Sequence, residues 1–241
     1  MLQLNKGVKT MFSRTELLIG KENLNILQSK HVAVFGVGGV GAFCAEALAR
    51  AGIGKLTLVD NDVVKTSNIN RQLIATTKTV GMPKVEVLKL RLNEIGPSLV
   101  VDTYPTFFEA TTCCQIPFDT FDYVVDAIDT VTSKLLLAEI CHKQGIPLVS
   151  CMGTGNKLHP EYLEITDIKQ TSVCPLARVM RRELKARGIE SLKVVYSKEP
   201  PIKLDVQPTE NGRHIPASIS FVPPTAGMLL ASAVVNDLIK M

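Results

Sequence analysis

The sequence predicts an α/β fold: a doubly wound, Rossmann-like, mostly parallel sheet with helices on both faces and a C-terminal extension. Three observations carry this. Short, Val-rich apolar runs alternate with helical patterns through roughly the first 150 residues, the signature of a parallel sheet covered on both sides. The first run leads straight into "FGVGGVGAFCAEALARAG", a strand, a glycine turn and a helix in that order. A hydrophobic content of 46% and a mean hydropathy of +0.19 are ample for a packed core.

The elements follow in order. Residues Phe12 to Ser29 mix Leu17, Leu18, Leu24 and Leu27 with charges and read as a helix. Strands are expected at His31–Phe35, Lys55–Asp60, Leu99–Tyr104, Tyr123–Ile128 and Leu148–Cys151, with helices at Val40–Arg50, Lys84–Ile95 and Thr132–Gln144 between them. After Cys151 the rhythm changes. "GTGNKLHPEYLEITDI" reads as a turn and an extended segment, "PLARVMRRELKARG" as a helix and "LKVVYS" as a strand. "EPPIKLDVQPTENGRHIPAS" reads as a loop and "TAGMLLASAVVNDLI" as a closing helix. The 241 residues suit a single domain. Its parts are a helical segment at 1–30, a nucleotide-binding core at 31–153 and a substrate-side part at 154–241.

The net charge of +4 and pI near 8.7 are a mild excess that does not by itself establish a polyanionic partner. Six cysteines, Cys44, Cys113, Cys114, Cys141, Cys151 and Cys174, include no C-x-x-C pair, which argues against a structural zinc site and for buried, reduced thiols. "MLQLNKGVKTMF" lacks the apolar stretch of a signal peptide. "AGMLLASAVV" is about half the ~20 residues that a membrane span needs. The expectation is a cytoplasmic protein without a membrane segment.

"GVGGVG" places Gly36, Gly38 and Gly41 in the spacing G-x-G-x-x-G, with Gly39 between them. The first glycine permits a tight turn, the second lets backbone N–H groups approach phosphate, and the third lets helix and strand pack closely. Asp60 closes the next strand, where a carboxylate can accept hydrogen bonds from ribose hydroxyls. These features suit NAD and ATP alike. The following segment separates the two. "NDVVKTSNINRQ" is long for a strand–helix connection and clusters Asn68, Asn70, Arg71 and Gln72. "GMPK" brings Lys84 to a helix start, and "YVVDAIDT" brings Asp126 and Asp129 to a strand end. A dinucleotide's pyrophosphate, with about two charges, gains little from a nearby Asp. A triphosphate, with about four, gains strongly from Arg and Lys, and a carboxylate beside it suits Mg²⁺. ATP with Mg²⁺ is therefore expected, with Asp129 as the metal ligand.

The motifs "FGVGGVG", "LVDND", "SNINRQ", "GMPK" and "DAIDT" stand in that order. In this combination the chain resembles the ubiquitin-activating-enzyme superfamily, in its bacterial ThiF, MoeB and HesA branch, from about Arg14 to the end. The resemblance implies adenylation of a carboxylate by Mg-ATP with release of pyrophosphate. Its functional positions fall on Gly38, Asp60, Asn68, Arg71, Lys84 and Asp129. Arg14, in "MFSRTELLIG", matches an arginine that in such homodimers reaches the phosphates held by the partner subunit. Catalytic roles are thus expected for Arg14, Arg71, Lys84 and Asp129. ATP contacts are expected for Gly36, Gly38, Gly39, Gly41, Asp60, Asn68, Arg71 and Lys84.

Activators of sulfur carriers usually carry two C-x-x-C pairs, which this chain lacks. Its second half, with "GTGNKLHPEYLEITDIKQTSVCPLARVMRRELKARGI" and "VVYSKEPP", is instead similar to the tRNA threonylcarbamoyladenosine dehydratases. That resemblance implies closure of the threonine carboxylate onto the neighbouring carbamoyl group with loss of water. Adenylation would supply the leaving group, and the closure itself is intramolecular. The expected partners are tRNA and a second copy of the chain, with a sulfur-relay protein as a further candidate. Arg178, Arg181, Arg182 and Lys185 share one face of a helix and are expected to bind the tRNA backbone, while Ala177, Met180 and Leu184 face the core. Two departures stand out: Cys174 occupies a place that is often acidic in such enzymes, and "ASISFVPP" holds no cysteine ahead of the last helix. Alternative readings are an activator of a ubiquitin-like or sulfur-carrier protein, an NAD-dependent dehydrogenase and a non-catalytic scaffold.

Overall fold

The computed structural model describes residues 10–96, 98–205, 209–210 and 213–239. Residues 1–9 of the N-terminal segment and parts of the proline-rich loop, 206–208 and 211–212, lie outside the described residues. In chain order the elements are α1 (Ser13–Ser29), β1 (His31–Phe35), α2 (Gly41–Ala51), β2 (Lys55–Val59), α3 (Lys84–Ile95), β3 (Val100–Tyr104), β4 (Tyr123–Asp126), α4 (Val131–Gln144), β5 (Leu148–Cys151), β6 (Leu163–Asp167), α5 (Pro175–Ala186), β7 (Lys193–Ser197), the short strands β8 (Thr209–Glu210) and β9 (Arg213–His214), and α6 (Val222–Ile239).

Seven strands form one sheet in the order β3-β2-β1-β4-β5-β7-β6. Only β6 runs antiparallel, against β7. The chain builds outward from β1 through β2 to β3 and then returns to lay β4 on the other side of β1. The carboxyl ends of β1 and β4 thus flank a topological switch point, where α/β sheets open a crevice.

Alternation along β1 divides the core. Val32 and Val34 pack with α2, α3 and α6, whereas Ala33 and Phe35 pack with Phe108, Phe118, Val124 and Leu137 on the other face. A third cluster seats α5 through Ala177, Met180 and Leu184 against Met152, Val194 and Tyr196. The sheet runs on into the C-terminal third, which supplies β6 and β7.

Several boundaries differ from the sequence reading. The strand expected to reach Ile128 ends at Asp126, whose side chain accepts the Ile128 N–H and turns the chain out of the sheet. The N-terminal helix breaks at Gly20, where φ is 82° and ψ is 160°. Leu24 and Leu27 beyond the break are buried, but Leu17 and Leu18 before it are exposed. The closing helix begins at Val222, a turn earlier than expected, because prolines are tolerated in a first helical turn. At 18 residues, α6 is long and apolar enough to cross a membrane, unlike the shorter run read from the sequence. It packs instead on α1, α2 and the sheet, so closely that a Cβ on Gly227 would lie 2.3 Å from the Val40 carbonyl oxygen.

Candidate active site

One cleft of about 980 Å³ opens at the switch point, lined on one side by the glycine turn and on the other by residues 127–130 and 151–157. The turn is built by its glycines in different ways. Gly36 has φ of +85°, and a Cβ there would meet the Ala127 carbonyl at 2.6 Å. A Cβ on Gly41 would lie 1.8 Å from the Gly36 carbonyl oxygen. These two close the turn. Gly38 faces open space, with only the Gln72 amide near its Cβ direction, at 3.7 Å. That bare backbone is where a phosphate can approach, at the start of α2, which no side chain caps.

Asp60 stands just past β2. Its Oδ2 accepts the Val37 N–H at 2.6 Å and its Oδ1 accepts the Asp62 N–H at 2.8 Å. Burial pushes this carboxyl up in pKa, against the pull of the nearby Lys84 ammonium. Lys84 opens α3, is buried, and donates to Asp62 Oδ2 at 2.7 Å. Asn68 is buried and accepts the Lys65 N–H. Arg71 donates from one Nη to the Ser67 carbonyl at 3.0 Å and to Asn70 Oδ1 at 2.9 Å. Asn70 in turn donates to the Ser218 carbonyl. Gln72 Oε1 is, among the described residues, the one buried side-chain nitrogen or oxygen that lacks a hydrogen-bond partner. Its residue lines the cleft beside Gly38, and such an orphan fits a ligand that brings its own donor.

The opposite wall carries Asp129, exposed to the cleft and touched by the Thr130 hydroxyl at 3.4 Å. Beneath it lies a buried ion pair, Asp126 with Lys134, at 2.8 Å. Deeper along the same wall Lys157 is buried, with its ammonium on the Glu199 carbonyl, and burial lowers its pKa. Cys174, also buried, lines the cleft at the head of α5, where Pro175 takes the first helical position.

Of the residues expected to contact ATP or act in catalysis, Gly36, Gly38, Gly39, Asp60, Asn68, Arg71, Lys84 and Asp129 all line this cleft. Gly41 sits behind the turn. Arg14 is exposed on α1 and is not among the residues lining the cleft. On α5, Arg178, Arg182 and Lys185 are exposed, and Arg182 pairs with Glu183. Arg181 differs from its expected partners: one Nη is bound to the Thr171 carbonyl at 2.8 Å and the Thr171 hydroxyl at 2.7 Å. Ala177, Met180 and Leu184 are fully buried, as their spacing predicts.

The pattern of residues 12–241 matches the family model described as the ThiF family. The chain belongs to the ThiF family. Within this family it is 43% identical over 240 residues to the tRNA threonylcarbamoyladenosine dehydratase of Bacillus subtilis, covering 95% of this chain and 94% of that one. It is also similar to crystal structures of the E. coli tRNA N6-threonylcarbamoyladenosine dehydratase, TcdA. The AMP complex superposes with a TM-score of 0.86 at 33% identity, covering 95% of this chain and 94% of that chain. The ATP complex does so with a TM-score of 0.86 at 32% identity and the same coverage. The ThiF-family chain is therefore an ATP-binding, adenylating enzyme, and the dehydrogenase and scaffold readings fall away.

Three features of this ThiF-family site escaped the sequence reading. Gln72 carried no signal beyond its place in a polar cluster. Lys157 lies in a loop without periodicity. Lys134 did leave one: it shares a helical face with Leu137, Ala138 and Cys141, all buried, which is no place for a solvated lysine.

Proposed function

We propose that this chain dehydrates threonylcarbamoyladenosine in tRNA, adenylating its threonine carboxylate with ATP so that the neighbouring carbamoyl group closes the ring. The observation that carries this reading is the single cleft in which Gly38, Asp60, Arg71 and Lys84 face Asp129. Gly38 and the start of α2 offer N–H groups to phosphate, and Asp60 offers its remaining lone pairs to ribose. Arg71 and Lys84 bring two cations to the polyphosphate, where Lys84 exchanges its contact with Asp62 for phosphate oxygens. Asp129 suits Mg²⁺. Among the described residues no group of three His, Cys, Asp or Glu side chains gathers into a metal site, and Mg²⁺ is commonly held by one or two carboxylates together with phosphates. Bound there, the ion would neutralise charge on the departing pyrophosphate.

We assign the exposed face of α5, through Arg178, Arg182 and Lys185, to the tRNA backbone; Arg181 anchors the helix to the loop at Thr171. Cys174 reads as structural. The working unit is a homodimer: α1 exposes Leu17 at 88% and Leu18 at 80% beside Arg14, and α1 packs on α6, which exposes Met228. Pairing of this apolar surface across a two-fold axis would carry Arg14 to the other subunit's cleft. Acting on tRNA, such an enzyme works in the cytoplasm.

The test is pyrophosphate exchange into ATP. Exchange that requires tRNA bearing threonylcarbamoyladenosine supports the proposal. Exchange that requires a carrier protein with a Gly-Gly terminus replaces it with the activator reading. Mixed dimers of Arg14→Ala and Asp129→Ala subunits should recover about a quarter of wild-type sites if each site draws on both chains, and no recovery after demonstrated exchange refutes sharing.

A further inference from the structure

We propose that Lys134 is a positioning residue for this reaction, the hub that holds Asp129 at the height where it meets the nucleotide's metal ion. The inference rests on the ATP and Mg²⁺ reading above.

Lys134 is fully buried in the first turn of α4. An ammonium has three N–H donors, and each has an acceptor here. Nζ donates to Asp126 Oδ2 at 2.8 Å, to the Cys151 carbonyl at 2.8 Å and to the Ile128 carbonyl at 3.1 Å. Asp126 is satisfied in turn. Its Oδ2 also accepts the Ser150 hydroxyl at 2.6 Å, and its Oδ1 accepts the Ile128 N–H at 3.1 Å. Ile128 therefore has both its backbone groups clamped by one buried pair, and the next residue is Asp129. The contact with the Cys151 carbonyl reaches the end of β5, immediately before Met152 and Gly153 on the cleft wall. One ammonium thus ties together the ends of β4 and β5.

Stability alone is a poor account of such a pair, because well-packed apolar residues of similar volume are often as stable or more so. What apolar residues cannot do is fix the Ile128 carbonyl and N–H, in a loop without secondary structure, to the Cys151 carbonyl at the end of β5. A group that orients a metal-binding carboxylate typically controls metal affinity or activity by about 10- to 100-fold.

The test compares Lys134→Met combined with Asp126→Asn, which leaves no orphan charge, with the milder Ser150→Ala. Calorimetry measures ATP binding against Mg²⁺ concentration, and pyrophosphate exchange gives turnover. The double variant should need about tenfold more Mg²⁺ for half-maximal strengthening of ATP binding, while its affinity for ATP without Mg²⁺ stays within about threefold of wild type. Ser150→Ala should shift the Mg²⁺ requirement by roughly two- to fivefold with a near-normal melting temperature. In an Asp129→Ala background the same changes should add less than about twofold, since neighbouring groups acting as a unit are not additive. A folded variant, either one, with wild-type Mg²⁺ dependence overturns the proposal, as does full additivity with Asp129→Ala. If the double variant does not fold, Ser150→Ala decides. A wild-type chain whose ATP binding ignores Mg²⁺ refutes the role of Asp129 itself and the hub with it. A responsive wild type beside an equally responsive variant refutes the hub alone.

Discussion

Replacing Asp60 by alanine removes an acceptor shared by two backbone N–H groups, Val37 at 2.6 Å and Asp62 at 2.8 Å. Each hydrogen bond to a charged acceptor contributes about 1.5–3 kcal/mol net. The two do not sum, because burial raises the pKa of this carboxyl despite Lys84, so the ionised group already costs free energy to enclose. A net loss of about 1–3 kcal/mol follows, or a fall in melting temperature of about 2–12 °C for a domain of this size. ATP loses more than fold stability does, since the ribose loses its acceptor and the turn that meets phosphate loses its tether. The expected loss of about 1.5–3 kcal/mol corresponds to a Kd about 10- to 150-fold weaker. Asp60→Asn should fall between, because its amide oxygen can accept one N–H while its NH₂ confronts the other. Thermal denaturation with and without ATP, together with calorimetry, measures both quantities. A lowered melting temperature with unchanged ATP affinity would show that Asp60 only buttresses the turn. Wild-type values for both would refute the reasoning.

Changing Arg178 and Arg182 together to alanine should flatten the log–log salt dependence of tRNA binding by about 1.4–1.8 and leave ATP binding intact; an unchanged slope returns this face to solvent. Glu46 bridges α2 to α3: burial pulls its carboxyl upward, but hydrogen bonds from Arg91 and Arg50 outweigh it and hold the pKa below the ordinary 4.5. Its contribution is therefore present above that value and is lost as pH falls through the lower folded one, so the gap in melting temperature between wild type and Glu46→Gln should close in acid. Native alkylation should label Cys114 and then Cys113, which are exposed and half-buried, and spare the buried Cys44, Cys141, Cys151 and Cys174. Burial also pushes the Cys141 and Cys151 thiols up to about 12, and rapid labelling of either without denaturant would contradict this packing.

Strand, turn and helix were legible around the glycines because burial on both faces leaves long apolar runs and because phosphate sites need bare backbone. Asp60 and Lys84 were legible as cleft residues because each adjoins the end or start of a regular element, whereas Asn68, Arg71 and Asp129 were picked out by the polar motifs of the connecting segments. What escaped was set by tertiary contact. Nothing local marks Asp126 as the residue that ends β4, since that depends on its reaching the Ile128 N–H. Arg181 looked like its neighbours on the basic face until the loop at Thr171 folded under it. The break in α1 depends on Gly20 adopting a backbone conformation that few other residues tolerate, and a lone glycine in a helical pattern does not require it.

The seating of Gly227 against Val40 also orders events in time. A ribosome releases the glycine turn well before α6, so the turn emerges ahead of its rear support. Until residues 222–239 are free, the β1–α2 corner lacks the helix that presses on it. Anything that ATP stabilises must first bind it, and the turn offered to phosphate is backed by α6 through this contact. Synthesis in one direction thus makes the seating of α6 the later step at this corner.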